Sequence, residues 1–306
     1  MSTGRWLRTL KDLALAALRR DAQGVLVERR ELALLALDGE ARLVTFERDG
    51  LVWTTTTVRH TITRNLFVHG RHPRGEVDAL GAWLAARGRL GDAYPWAVEI
   101  GSNVGAPTLF FVRDLGRRVL AIEPVPANLD LLRRNVAANG MESRVTAVAA
   151  AVAREPATLT MLRPPKDGQC EVASAETARR LAADGALERV DVPALPLDRI
   201  VAEHGVPPAA VSFAWSDTQG YETGVIASGA ALWAAGAPLF VEVWPEGLEA
   251  HDGVAAFVAA AEAAFTGYVP SRELLAGGAS AAPRPIAGLA AFVAALSRQT
   301  DVLLVP

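Results

Sequence analysis

Two glycines and one glutamate stand where a bound nucleoside would need them. Gly101 and Gly105 lie in the turn between a predicted apolar strand, "WAVEIG", and the predicted helix that follows it. Glycine permits a tight turn there and lets a ligand approach the backbone closely. Glu123 ends the next predicted strand, "RRVLAIEP", where its carboxylate could accept hydrogen bonds from both hydroxyls of a ribose. An ordinary turn or an exposed glutamate would explain either feature alone, but the combination predicts a site for a ribose-bearing cofactor.

The spacing of the turn indicates which cofactor. A dinucleotide site requires G-x-G-x-x-G around the pyrophosphate, whereas this turn has G-x-N-x-G, with Pro107 at the start of the helix. S-Adenosylmethionine has no phosphate, and its charged amino-acid end could be met by polar atoms of Glu99, Ser102 and Asn103. The pattern favours S-adenosylmethionine over NAD, and an NAD-type oxidoreductase stays open as the alternative.

Methyl transfer from a sulfonium to an oxygen needs alignment of the reacting atoms, held about 3 Å apart, and a base for the hydroxyl proton. Asp217 ends the predicted strand "AAVSFAWSD" and is the first candidate, with Glu242 at the end of the next strand as the second. His69 and His251 are further candidates, because histidine titrates near neutral pH. A carboxylate that binds a backbone amide, or a surface histidine, would explain each residue without catalysis. Asp217 and Glu242 could pair around magnesium, but the Asp-Asn pair usual in such sites is not evident, so we expect no metal.

Strands and helices alternate from residue 95 onward, which places these residues in one arrangement. Each candidate except His69 follows or ends a predicted strand. Alternation of this kind predicts a mostly parallel sheet covered by helices on both faces, with ligands at the carboxyl ends of the strands. The closing segment "DVLLVP" predicts the last strand, and a more irregular insertion after residue 152 predicts edge strands. The fold class is therefore α/β, Rossmann-like, with an antiparallel last strand.

The first 74 residues predict an extension to this domain. "MSTGRWLRTLKDLALAALRR" is typical of an amphipathic helix and lacks the cleavage site of a secretory signal. Asp-Gly pairs at 38–39 and 49–50 between β-prone runs predict β-hairpins. We expect residues 1–74 to form a helix and hairpin extension, acting as a substrate lid or dimer contact, and residues 75–306 to form the main domain.

The composition excludes several classes of protein. The chain has 306 residues, 51% apolar and 21% charged, which is typical of a globular protein with a substantial core. A net charge of −3 does not indicate nucleic acid as a partner. Cys170 is the only cysteine, so neither an intramolecular disulfide nor a cysteine zinc site can form, although it could be a nucleophile. No apolar run approaches the roughly 20 residues that span a bilayer, and we expect a cytoplasmic protein.

Several segments together resemble one family. The turn and the strand after it, "VEIGSNVG" and "VLAIEPVPANLDLLRRNVAANG", are similar to the pattern of the FkbM family of S-adenosylmethionine-dependent methyltransferases. "VDVPALPLDRIVAEHG", "VSFAWSDTQGYETG" and "PLFVEVWPEG" resemble its later segments, so the resemblance runs from about residue 66 to residue 250. Glu99 stands where the family has aspartate, Ser102 where it has alanine, and Pro107 is unusual at the helix start.

The resemblance implies a set of site residues. It places Glu99, Gly101, Asn103 and Gly105 at the amino-acid end of the cofactor and Glu123 on the ribose. With their neighbours, the residues expected to bind the cofactor are Glu99, Gly101, Ser102, Asn103, Gly105, Glu123, Pro124 and Asp217. Those expected to contact the acceptor are Trp215, Gln219, Tyr221 and Trp244. Gly220 and Glu222 fall at the mouth of the fourth strand.

The resemblance implies a methyltransferase, most simply one that methylates a hydroxyl of a small molecule such as a natural product or saccharide in secondary metabolism. Methylation of nitrogen or carbon stays open, and so does a non-catalytic scaffold on the same fold. We expect a small-molecule acceptor, no nucleic acid and no stable membrane insertion, and a homodimer stays open.

Overall fold

The computed structural model describes residues 22–37, 43–57, 61–70, 73–163, 170–181 and 187–306. The chain forms two compact units, residues 1–72 and residues 73–306. The predicted helix over residues 1–20 and the predicted turn at 38–39 lie outside the described residues. No helix within the described ranges is both long enough and apolar enough to cross a bilayer.

The N-terminal unit contains one β-hairpin between helices. Strands β1 (Leu43–Arg48) and β2 (Leu51–Thr56) pair antiparallel and flank the predicted turn. Asp49 and Gly50 both have positive φ, of 55° and 70°, as the tight turn of a two-residue hairpin requires. Helix α1 (Ala22–Leu37) precedes the hairpin. Helix α2 (Thr61–Arg64) follows it and continues into a π-helical turn, Asn65–His69.

An eight-stranded sheet forms the centre of the main unit. In spatial order its strands are β13 (Arg284–Pro285), β12 (Gly267–Pro270), β14 (Thr300–Val305), β11 (Leu239–Val243), β10 (Val211–Ser216), β3 (Trp96–Ile100), β4 (Arg118–Ile122) and β5 (Val145–Val148). The five strands from β11 to β5 are parallel, and β14 is antiparallel to β11. Every residue of β3, β10 and β11 is buried, as expected for strands with helices on both faces. The predicted fold class is confirmed.

The helices of the main unit follow the strands in the predicted alternation. They are α3 (Arg74–Ala85), α4 (Ala106–Arg113), α5 (Pro126–Ala138), α6 (Ala175–Leu181), α7 (Leu197–Glu203), α8 (Glu222–Ser228), α9 (Ala230–Ala234), α10 (Pro245–Glu249), α11 (Val254–Ala264), α12 (Ser271–Gly277) and α13 (Leu289–Ala294). The run "GYETGVIASGAALWAAG" (residues 220–236) predicts one helix, but it forms two, because the chain breaks at Gly229, which packs against the ring of Trp233. The Ala/Gly/Pro stretch 275–285 predicts a loop, but it contains the end of α12, a 3₁₀ turn and β13.

The insertion forms a sheet of its own. Its strands, in the order β6, β9, β7 and β8, are β6 (Ala151–Val152), β9 (Glu188–Leu195), β7 (Ala157–Arg163) and β8 (Glu171–Val172). The sequence predicted edge strands, but these strands belong to a separate sheet and not to the main one. Apolar side chains of this small sheet, including Met161 and Val192, pack with Val125 at the start of α5, so the insertion covers the side of the sheet where β4 ends.

Candidate functional site

The turn after β3 depends on glycine at two positions. Gly101 has a φ of +83° and donates its N–H to Ile122 O of β4 at 2.9 Å. A Cβ on Gly101 would lie 2.0 Å from Asp217 O, so only glycine lets this turn touch the turn that follows β10. Gly105 has a φ of +86°, and a Cβ there would lie 2.4 Å from a methyl group of Leu132. The glycines therefore bring three strand ends and a helix start together.

Glu99 forms the floor of this turn. It lies in β3 and has no exposed surface, and its Oε2 accepts a hydrogen bond from Thr108 Oγ1 of α4 at 2.5 Å. Its Oε1 is buried and has no hydrogen-bond partner among the residues that the structure describes. The pKa of this carboxyl is raised to about 8, chiefly by burial, with the nearby Glu123 and Asp217 contributing in the same direction. An additional donor, such as an ammonium, would satisfy Oε1.

Glu123 lies at the end of β4 as predicted and ties the two turns together. Its Oε2 accepts the N–H of Asn103 at 2.8 Å, and its Oε1 accepts the N–H of Val125 at 2.9 Å and the Asn128 side-chain amide at 3.4 Å. Burial raises its pKa to about 7, although these hydrogen bonds act in the opposite direction. A carboxylate can accept about four hydrogen bonds, so it retains capacity for one ribose hydroxyl. Contact with the ribose stays a prediction, as does any contact by the half-buried Pro124.

Asn135 supports the glycine turn through a hydrogen bond, a role that was not predicted for it. Its side-chain amide is buried in α5 and donates to Val104 O at 2.8 Å, while Asn139 donates to Asn135 O at 2.7 Å. The two asparagines are the N-x-x-x-N spacing of the quoted motif, so the signal was present in the sequence. Thr108 was missed as well, because one threonine in an apolar helix carries no signal of its own.

The turn after β10 is organised by Glu222. This side chain has no exposed surface, and its Oε1 accepts the N–H of Thr218 at 3.0 Å, the Thr218 hydroxyl at 2.9 Å and the N–H of Gly220 at 3.3 Å. Gly220 has a φ of +100° and packs against Gly247, where a Cβ would lie 2.3 Å from the carbonyl oxygen. Burial raises the pKa of Glu222 to about 7.

Asp217, Gln219 and Glu242 form a hydrogen-bonded group at the mouth of the sheet. Asp217 is exposed and donates its N–H to Ile100 O at 3.0 Å, which holds it beside the end of β3. Gln219 has a φ of +54°, and its side-chain amide donates to Asp217 Oδ1 and, at 3.1 Å, to Glu242 Oε2. A non-glycine residue in this conformation is typical of a functional site. Burial, and then the charge of Asp217, raise the pKa of Glu242.

The remaining predicted residues lie in different surroundings. Trp215 is only 6% exposed and stacks on Phe240 at 4.1 Å between ring centroids. This core packing does not support the prediction that Trp215 contacts the acceptor. Tyr221 contacts His251 edge to face at 5.4 Å, so these two do lie together. Trp244 is half-buried against Gly247.

Two further predicted residues and Cys170 are placed as follows. Ser102 is buried, and its hydroxyl donates to Glu99 O at 3.4 Å. His69 is exposed at the end of the π-helical turn in the N-terminal unit, so its proposed part in catalysis stays a prediction. Burial raises the pKa of the Cys170 thiol to about 12, which makes it a weak nucleophile at neutral pH.

The hydrogen-bonding groups at the ends of β3 and β4 indicate which cofactor fits the site. Glu99 Oε1 and Asn103 Oδ1 are buried acceptors that no described residue satisfies, and Glu123 is a third acceptor. These groups suit an ammonium and ribose hydroxyls, which donate hydrogen bonds. A pyrophosphate needs donors, and three acceptors would repel it. The residues present therefore fit S-adenosylmethionine and do not fit a dinucleotide.

The order of the main sheet, with its antiparallel β14 and a glycine turn after its central strand, defines a class I methyltransferase fold. The family model described as "Methyltransferase FkbM domain" matches residues 99–265, which is more than half of the chain. The chain belongs to the FkbM methyltransferase family, and its cofactor is S-adenosylmethionine.

The chain is also similar, at low identity, to several solved structures. Methyltransferase FkbM from Methylobacillus flagellatus KT is 13% identical, with a TM-score of 0.37, over 69% of this chain and 44% of that chain. The SAM-dependent methyltransferase from Agrobacterium tumefaciens is 15% identical, with a TM-score of 0.26, over 36% of this chain and 32% of that one. The O-methyltransferase from Bacillus cereus is 16% identical, with a TM-score of 0.27, over 53% and 55%. The chain thus spans about half or less of the length of each of these three. No curated protein matches it.

Proposed function

We propose that this protein transfers a methyl group from S-adenosylmethionine to a hydroxyl of a small molecule. The observation that supports it most is the carboxylate of Asp217, which is exposed at the mouth of the sheet and fixed beside the glycine turn. A hydroxyl must lose its proton as the carbon–oxygen bond forms, so a fixed carboxylate at the cofactor turn has a direct use.

The residues around Asp217 would orient it rather than react. Gln219 donates to Asp217 Oδ1, which fixes the orientation of the carboxylate. Glu242 Oε2 accepts a hydrogen bond from the Gln219 side-chain amide, so this carboxyl holds Gln219 in place. Glu222 fixes the backbone of the turn through Thr218 and Gly220.

S-Adenosylmethionine supplies an electrophilic methyl group when bound. The buried acceptors of Glu99 and Asn103 would hold its amino-acid end, and Glu123 would accept from its ribose. The proton of the acceptor hydroxyl would pass to the carboxylate of Asp217. Because the carboxylates also lower the energy of nearby positive charge, the site favours a cationic cofactor before any reaction occurs.

The test uses labelled cofactor and a small-molecule extract. Wild-type protein, incubated with methyl-labelled S-adenosylmethionine, should transfer label to one fraction of the extract. We expect Asp217→Asn to lower turnover by about 10²-fold or more, the usual range for loss of a general base, with little change in affinity for S-adenosylhomocysteine. Near-normal turnover in Asp217→Asn would remove the catalytic role. The exposed Glu246 offers a matched control, and Glu246→Gln should behave as wild type.

A further inference from the structure

Five adjacent strands each bring one carboxylate to the same edge of the sheet. We call this set the carboxylate row; in spatial order it consists of Glu123, Glu99, Asp217, Glu242 and Asp301. The pairing register puts Glu99 beside Trp215, Trp215 beside Phe240, and Glu242 beside Asp301. Because side chains alternate along a strand, all the row members within strands lie on one face.

The row is longer than the cofactor requires. Neighbouring strands lie about 4.8 Å apart, so five strands span roughly 19 Å. Glu123 and Glu99 belong to the cofactor turn and Asp217 stands between the two halves. Glu242 and Asp301, on the two strands beyond it, are in direct register and have no part in that turn.

The far end of the row brings several acidic side chains together. Among the described residues, every charged group that raises the pKa of Glu242 or Asp301 is another carboxyl group. For Glu242 these are Asp217, Glu222, Asp301 and Glu171, and for Asp301 they are Asp217, Glu76 and Glu222. Burial is the largest cause in both, and it raises the pKa of Asp301 to about 7. Like charges so close together are costly unless they share protons or a cation binds.

Glu222 provides a second observation at this end. The side chain is fully buried, and its Oε1 is occupied by the turn, but its Oε2 accepts no hydrogen bond from the described part of the chain. Its charge acts on both Glu242 and Asp301, so this buried oxygen belongs to the same group. A buried carboxylate oxygen without a donor is expensive, and a ligand that donates hydrogen bonds would satisfy it.

We propose that Glu242 and Asp301, with Glu222 behind them, bind a protonated amine on the methyl acceptor, so that the substrate is an amino-bearing hydroxyl compound. This inference rests on the proposed function, because Asp217 then receives the proton of a hydroxyl on the same molecule. An organic ammonium fits better than a metal ion, because no three His, Cys, Asp or Glu side chains of the described ranges are arranged to hold one.

The experiment compares glucosamine with glucose, which differ at one position by an amine in place of a hydroxyl. The full-length protein, saturated with S-adenosylhomocysteine, is titrated with each sugar by calorimetry. We expect glucosamine to bind at least tenfold more tightly. Glu242→Gln and Asp301→Asn should each remove most of this preference, while Glu246→Gln keeps it. Glutamine at 242 can still accept from Gln219, so the turn should remain in place.

The outcomes separate this inference from the proposed function. Equal binding of both sugars, binding of neither, or a preference that survives both substitutions would overturn the amine site while S-adenosylhomocysteine still binds. If the wild-type protein does not bind S-adenosylhomocysteine, the proposed function itself is overturned. The labelled product of the extract experiment is an independent test. A strong cation exchanger should retain it at neutral pH, and a product that passes through contradicts the proposal.

Discussion

Glu99→Gln should make the stability of the ligand-free protein less dependent on pH. Folding raises the pKa of Glu99 from 4.5 to about 8, mainly because the carboxyl is buried. The folded state therefore binds this proton more tightly than the unfolded state. Its contribution to stability is complete below about pH 4.5 and is lost as the pH rises to about 8. At about 1.36 kcal/mol per pH unit, the difference corresponds to at most about 5 kcal/mol.

Urea unfolding at pH 5 and pH 8 measures this contribution. We expect the wild type to lose roughly 2–3.5 kcal/mol more than Glu99→Gln between these two pH values. The glutamine can still accept the hydrogen bond from Thr108, so packing is preserved. Coincident transitions by circular dichroism and tryptophan fluorescence would justify the two-state treatment. Glu246→Gln, an exposed change, should follow the wild type. If Glu99→Gln shows the same loss as the wild type, burial does not control this carboxyl and the reasoning fails.

Three further substitutions test the cofactor turn. Gly101→Ala should abolish S-adenosylhomocysteine binding in calorimetry, because the Cβ would lie 2.0 Å from Asp217 O; normal binding would show that the two turns do not touch. Glu123→Ala should weaken that binding by about 1.5–3 kcal/mol, the usual value of a hydrogen bond to a charged group, and unchanged affinity would remove Glu123 from the site. Asn135→Ala should weaken it by about tenfold through the loss of support at Val104, whereas the control Asn139→Ala, which removes the bond to Asn135 O, should have a smaller effect in the same titration.

Much of the main sheet could be predicted from the sequence, because its strands are short apolar runs bounded by glycine and proline. The run "WAVEI" and the glycine turn after it predicted the position of β3, and Asp49-Gly50 predicted the hairpin turn. The order of the strands did not follow from these runs alone. The strand β12 was missed because "GYVP" is too short to show alternation.

The contacts within the site were harder to predict. Glu123 was placed at the end of its strand, but its hydrogen bonds to Asn103 and Val125 arise only when two turns meet in space. Trp215 was expected at the acceptor, yet its ring stacks on Phe240 of the neighbouring strand β11, a contact that depends on how the strands pair. Asp301 was not predicted as a site residue, because it is distant in sequence from Glu242 and only strand pairing brings the two together.

Calorimetric titration of the purified wild-type protein with S-adenosylhomocysteine and, separately, with NADH tests the central claim most directly. Three buried acceptors at the ends of β3 and β4 should bind the ammonium and ribose of S-adenosylhomocysteine, and the same acceptors should repel a pyrophosphate. We therefore predict saturable binding of one S-adenosylhomocysteine per chain and no binding of NADH. Binding of NADH, or the absence of any binding of S-adenosylhomocysteine, would contradict the account.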